Sequence, residues 1–163
     1  NFEIHIVDSI MQSDNSDKYS SSIIRENIKN GKIENVNFAL GRCWHMSSKV
    51  IEGDKRARKI NFPTANMIPG KHIHPRKGVY CTQVYLNDEK YLSISNFGER
   101  PTVDGSKLLL ETHIFNFNQE IYGNDLTVEF LTFIRPEQKF ANFDELAKQI
   151  KQDIETAKKY HNI

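Results

Sequence analysis

Gly78-Val79-Tyr80-Cys81-Thr82-Gln83-Val84-Tyr85-Leu86-Asn87-Asp88-Glu89-Lys90-Tyr91-Leu92-Ser93-Ile94-Ser95-Asn96-Phe97 is the stretch that decides the fold. Gly78 to Leu86 and Tyr91 to Phe97 are β runs, and Asn87-Asp88 supplies turn chemistry between them. Working outward, Trp44 to Ile51, Lys107 to Phe115 and Leu126 to Ile134 read the same way, with Tyr122-Gly123-Asn124-Asp125 as a further turn. Short strands at this spacing, with no helical pattern among them, argue for a small antiparallel barrel or sandwich. The C-terminal segment is the clearest helix. Asn142 can cap it, Glu145 follows three residues on, and Phe143, Leu146, Ala147, Ile150, Ile154 and Ala157 keep a 3.6-residue period that should pack on the β structure.

The first forty residues have another texture. An apolar, strand-like run, Phe2 to Val7, leads through a polar loop from Gln12 to Lys18 into Ser20-Ser21-Ser22-Ile23-Ile24-Arg25. Serines ahead of an apolar-periodic run predict a helix start, with Gly31 as its stop. A second short helix is expected from Ile33 to Leu40, closed by Gly41.

The 163 residues have room for one ordinary domain and a small appendage. With 38% hydrophobic and 26% charged residues the composition is that of a soluble globular protein. A net charge of +1 argues against a dedicated nucleic-acid binder and makes any phosphate site a local feature. Cys43 and Cys81 have no CxxC spacing, so buried thiols in a reducing, cytoplasmic setting are expected. No apolar run reaches the length of a membrane span. His45, His72, His74 and His161 lack metal-ligand spacing, and His72-Ile73-His74 is expected on a surface loop.

Chemistry gathers around Arg58-Lys59-Ile60-Asn61-Phe62-Pro63-Thr64-Ala65-Asn66. Proline fixes its own φ and pushes its predecessor toward extended geometry. In an extended segment residues i and i+2 share a side. Thr64 and Asn66 can therefore offer two neutral oxygens to one hard cation, and magnesium accepts such a partial shell when phosphates complete it. Arg58 and Lys59 could neutralise phosphate charge. A turn followed by an edge strand would account for the same residues. Glu111 stands in the apolar run Leu108 to Phe115, where a carboxylate is costly if it points inward alone; a solvent-facing position on an alternating strand is the plainer account. His113 shares its face.

Four segments together resemble the riboflavin kinases. Arg58 to Asn66 is similar to that family's G-R-x-I-G-F-P-T-A-N signature, with Ala57 and Asn61 where glycines are usual. Asn96-Phe97-Gly98-Glu99-Arg100-Pro101-Thr102-Val103 resembles N-x-G-x-R-P-T. Leu110-Glu111-Thr112-His113-Ile114-Phe115 resembles L-E-x-H-I-F, and Arg135-Pro136-Glu137-Gln138-Lys139-Phe140 resembles R-x-E-x-K-F. The four keep the family's order and span roughly Leu40 to the C-terminus.

The resemblance implies a mainly β fold, a six-stranded antiparallel Greek-key barrel with a terminal helix, beside the short helical N-terminal segment. It implies Mg²⁺-dependent transfer of a phosphoryl group from ATP to riboflavin, giving FMN and ADP. Glu111 would be the catalytic base, and Thr64 and Asn66 the metal ligands. Gly53, Arg58, Thr64, Ile114, Asn116 and Tyr122 would meet ATP. Asn96, Arg100, Thr102, Arg135 and Phe140 would meet the flavin. From the residues themselves, Asn96, Arg100 and Thr102 are expected on a Gly/Pro-containing loop able to close over the substrates, and His113 is expected to be structural, behind the residues that touch substrate. Partners would be small molecules, not nucleic acid or membrane. Ser20 to Arg25 also resembles the I-S-S-T/S-x-I-R segment of the FMN adenylyltransferase domain that precedes the kinase in bacterial bifunctional FAD synthetases. Residues 1–40 then read as the end of that domain, lacking its H-x-G-H motif, and 41–163 as the kinase domain. Two other readings fit parts of the pattern: a non-catalytic flavin- or nucleotide-binding barrel, which has no need of Glu111, and a split-barrel FMN oxidoreductase, which needs no P-T-A-N segment.

Overall fold

The computed structural model describes residues 18–53, 62–71, 73–102 and 105–163, with Pro101 and Thr102 described by backbone alone. The expected run Phe2 to Val7, the basic residues Arg58 and Lys59, Ala57, Asn61, His72 and Val103 lie outside the described residues.

Six strands close into one antiparallel barrel: β1 (Trp44–Ile51), β2 (Ala65–Met67), β3 (Gly78–Leu86), β4 (Glu89–Thr102), β5 (Gly105–Ile114) and β6 (Asp125–Pro136), in spatial order β1-β2-β5-β4-β3-β6. Strands β3, β4 and β5 form a meander and β6 returns beside β3, which is the Greek-key arrangement. The β3–β4 hairpin turns at Asn87 and Asp88, both at positive φ (49° and 66°), where Asn and Asp are tolerated better than other side chains. Strands β1 and β3 match the expected bounds, while β4 and β6 run longer than their apolar patterns. Asn96, Arg100 and Thr102, expected on a loop able to close, stand instead on β4, held in register against β5, because the ladder runs on through Gly98 and Pro101. The three-residue β2 is too short to leave a periodic signature of its own.

Inside the barrel, Met46, Val50, Met67, Tyr80, Val84, Phe97, Leu110, Leu126, Val128 and Phe130 form the main core. Tyr80 meets Phe130 and Phe133 edge-on, with ring centroids 5.1 Å apart in each pair. Four buried hydroxyls share the barrel without reaching water. Thr82 Oγ1 lies 2.8 Å from Ser93 Oγ and 2.8 Å from Ser95 Oγ, and Ser95 Oγ lies 2.8 Å from Thr112 Oγ1. Each has a partner, as burial of a polar group demands.

Helix α3 (Phe143–His161) covers the outer face of β3 and β4, which is why β3 is buried on both sides. Asn142 accepts from the Glu145 amide at 2.9 Å and the Glu145 carboxylate accepts from the Ala141 amide at 3.2 Å, a reciprocal cap. Ile154 and Ala157 pack on Val79, Cys81, Ile94 and Phe115. At the far end the His161 Nε2–H reaches the carbonyls of Thr82 (3.0 Å) and Ser93 (3.3 Å), pinning the last turn to the sheet. Cys81 is fully enclosed beneath this helix, whereas Cys43, just ahead of β1 at the barrel rim, is only half-buried, so the expected pair of buried thiols is a single one.

Helices α1 (Ser21–Asn30) and α2 (Ile33–Leu40) start and stop where the sequence predicts, with Ser20 accepting from the Ile23 amide and Gly31 and Gly41 as left-handed caps. They are built into the barrel's side. Ile33 belongs to the main core, and Asn37 bridges β6 and β1 by donating to the Phe130 carbonyl and accepting from the Trp44 amide, each at 2.8 Å. Among the described residues no helix is long and apolar enough to cross a membrane.

Candidate active site

Register brings the candidate residues together. Asn66 on β2 pairs with Glu111 on β5, Glu111 with Asn96 on β4, Asn96 with Val79 on β3, and Val79 with Arg135 on β6. Directly opposed residues of antiparallel strands share a face. A single row therefore crosses five strands on the outside of the barrel, and all five of its members line one cavity of about 410 Å³.

The cavity lies between that outer face and the segment from Glu137 through α3. Phe62, Val79, Ile94, Phe140, Phe143, Leu146, Ile150 and Ile154 give it apolar walls, and Asn66, Asn96, Arg100, Glu111 and Arg135 bring polar groups into it. A flat ring system with a polar tail suits such a lining. A second cavity of about 500 Å³ is lined by Val50, Pro63, Thr64, Ala65, Thr112, Ile114, Phe117 to Tyr122. Thr64 borders both.

Asn66 is the most unusual group here. It is 6% exposed, its Nδ2 donates to the Thr64 carbonyl at 3.2 Å, and its Oδ1 has no hydrogen-bond partner among the described residues. A buried carbonyl oxygen without a donor is costly unless something else takes it. Oxygen donors of this kind fit a hard cation, with Thr64 two residues away to provide a second. Gly53 closes the other side of this carboxamide. A Cβ on Gly53 would stand 2.4 Å from Asn66 Nδ2, so any larger residue would push the amide from its place.

Glu111 is half-buried in the cavity wall, beside Asn66 and Asn96 in register. It is therefore neither turned into the core nor fully in solvent. His113, two residues along the same strand face, brings Nδ1 to 2.8 Å from the Pro63 carbonyl. Glu137 also reaches the cavity, its carboxylate resting on Gly98, where a Cβ would meet Oε1 at 1.8 Å. Burial raises the Glu137 pKa, with Lys77 opposing and Glu99 and Glu111 adding to the rise.

Of the residues expected to meet a nucleotide, Thr64, Ile114 and Tyr122 line the second cavity, and Gly53 abuts Asn66. Asn116, at φ 55° just after β5, lines neither cavity, and Arg58 lies outside the described residues. Of those expected at the flavin, Asn96, Arg100, Arg135 and Phe140 line the first cavity; the side chain of Thr102 is not among those described. Arg135 has a second task. Its Nε and Nη2 donate to the two carboxylate oxygens of Asp153 at 2.8 and 2.7 Å, its Nη1 donates to the Pro136 carbonyl at 3.0 Å, and its guanidinium lies 5.9 Å over the Phe140 ring.

Sequence reasoning missed Asp153, Glu137 and the helical wall. Asp153 is 4% exposed and also accepts from Gln149 at 2.9 Å. Its signal was available: it falls on the apolar stripe of α3 between Ile150 and Ala157, where an acid needs a partner. The periodicity of the stripe predicts packing alone, whereas its first half, Phe143, Leu146 and Ile150, faces the cavity.

The Flavokinase family (riboflavin kinase) matches residues 40–161. The chain belongs to the riboflavin kinase family. It is 42% identical over 146 residues to the bifunctional riboflavin kinase/FMN adenylyltransferase of Haemophilus influenzae, covering 89% of this chain and 47% of that protein. The corresponding Bacillus subtilis protein is 40% identical over 147 residues, covering 88% and 46%. The chain thus spans about half the length of these curated relatives. Among solved structures, riboflavin kinase from Trypanosoma brucei superposes with a TM-score of 0.51 at 20% identity, over 71% of this chain and 78% of that one, a likeness of fold. Within the riboflavin kinase family the barrel with its terminal helix is the expected architecture, as the sequence resemblance implied.

Proposed function

We propose that this chain transfers the γ-phosphoryl group of ATP to the 5′-hydroxyl of riboflavin, forming FMN and ADP. The observation that carries the reading is Thr64, which borders both cavities while Asn66 and Glu111 stand paired beside it. Riboflavin would lie in the apolar cavity beneath α3, and the nucleotide in the second, so that phosphate and hydroxyl meet at Thr64. The hydroxyl oxygen forms the new P–O bond as the bond to the ADP oxygen breaks; Glu111 orients the hydroxyl and takes its proton. Thr64 and the Oδ1 of Asn66, which has no partner among the described residues, would hold Mg²⁺, which neutralises charge on the phosphates when bound. Asn96 and Arg100 would fix the polar part of the flavin, with Phe140 against its ring.

The names of the relatives, and the resemblance of Ser20 to Arg25, support placing residues 1–40 at the end of a preceding adenylyltransferase domain, in a protein that works in the cytoplasm on small molecules. The family match beginning at residue 40 supports the same boundary. The test is one incubation of the chain with riboflavin, ATP and magnesium, resolved by chromatography. FMN formed with one ADP per FMN supports the proposal. Flavin binding without FMN would make this a binding barrel instead.

A further inference from the structure

The backbone of Pro63 and Thr64 lies just outside the ladder that holds the rest of its segment. Strand β2 begins at Ala65, which pairs with Thr112, and Asn66 and Met67 pair with Glu111 and Leu110. Pro63 has no N–H to contribute to any sheet. What reaches it is a side chain. His113, next to Thr112, lies 2.8 Å from the Pro63 carbonyl through Nδ1, and a carbonyl only accepts, so Nδ1 carries the proton and donates. The imidazole is itself held edge-on by Phe62 at 5.6 Å (88° between planes) and by Phe115 at 5.8 Å (67°). Beyond Thr64, the Asn66 amide ties back to the Thr64 carbonyl at 3.2 Å.

We propose that His113 is a positioning residue that clamps the Pro63–Thr64 backbone and thereby sets the Thr64 hydroxyl and the Asn66 carbonyl oxygen at the cation and phosphate end of the site. It acts through Pro63, to whose carbonyl its Nδ1–H donates. One element of the fold so serves two purposes: β5 presents Glu111 to the hydroxyl acceptor and, two residues on, holds the segment that meets the nucleotide. The inference rests on the function proposed above.

The discriminating pair is His113→Leu, which removes the donor, and His113→Asn, whose Nδ2 stands where Nδ1 does. Binding of ADP with magnesium is measured by titration calorimetry, riboflavin binding by fluorescence quenching, and folding by thermal unfolding. Expected is about a tenfold loss of magnesium-ADP affinity in the leucine variant, the worth of one hydrogen bond. Riboflavin affinity should fall less than magnesium-ADP affinity, although His113 also borders the first cavity, and the asparagine variant should recover most of the magnesium-ADP loss. Leucine binding magnesium-ADP like the parent overturns the clamp, as does asparagine failing as badly as leucine, or riboflavin weakening as much as magnesium-ADP. If the leucine variant does not fold, His113→Gln replaces it, its donor lying one bond beyond the Nδ1 position, with the same expected loss. A parent chain that binds no magnesium-ADP at all would instead remove the functional reading on which the clamp depends.

Discussion

Asn66 holds a carbonyl oxygen out of water with no hydrogen-bond partner among the described residues. Leaving such an acceptor unpaired costs about 1–3 kcal/mol, so a residue kept for stability alone would not be placed this way. Asn66→Ala removes the orphan together with one bond to Thr64. Turnover should fall steeply while unfolding free energy stays within about 1 kcal/mol of the parent; denaturant titration beside an FMN assay checks both. Glu111→Gln keeps shape and hydrogen bonding but removes basicity. The rate should drop about 10²–10⁴-fold with little change in riboflavin or ATP affinity, and an unimpaired glutamine variant would falsify the role given to Glu111. The spacing of Thr64 and Asn66 was legible because an extended chain sorts alternate residues to one side. Their meeting with Glu111 and Asn96 was not, because register between distant strands has no local signature.

Helix α3 and the segment before it form the wall that the sequence represented least well. The buried Arg135–Asp153 pair fastens that wall to β6, and Phe140 lies under the same guanidinium. Asp153→Asn strands a largely buried cation and should lower stability by about 3 kcal/mol, at the low end for a broken buried pair because Arg135 keeps some solvent contact. Riboflavin affinity should fall with it. Adding Arg135→Gln should restore part of the stability, which a double-mutant cycle by chemical unfolding would read directly. The other end of α3 seals Cys81, whose thiol burial pushes up to about 12. Burial also raises Cys43, less completely enclosed, with Glu129 adding to the rise. A thiol reagent at pH 8 should therefore titrate Cys43 in the native protein and Cys81 only after unfolding; two equivalents reacting at once would contradict the packing. A raised folded-state value means that the neutral Cys81 thiol favours the fold below its unfolded value near 9.0, a contribution lost as pH climbs toward 12.

Across the whole molecule, the strand pattern, the terminal helix and both N-terminal helices could be read from periodicity and caps. Barrel closure could not, since the three residues of β2 that complete the ring read as no more than a short edge strand after Pro63. The two helices ahead of β1 carry the adenylyltransferase-like serines, yet Ile33 and Val36 are fully buried against the barrel's side. With no H-x-G-H motif in its 163 residues, this chain should form no FAD from FMN and ATP; chromatographic detection of FAD from the pure chain would refute that.

The row from Asn66 to Arg135 has a consequence for how the protein acquires activity. Its members come from five strands, and Arg135 is tethered by Asp153, so the complete row draws on the chain from Asn66 to Asp153. On a ribosome, the pocket stays unbuilt until helix α3 has cleared the exit tunnel, so under the proposed function a nascent chain should not retain flavin while its sheet is still open. Turnover then becomes a clock for ring closure: in a refolding experiment, the first FMN should lag behind the first native-like circular dichroism by the time the long-range strand pairs take to register.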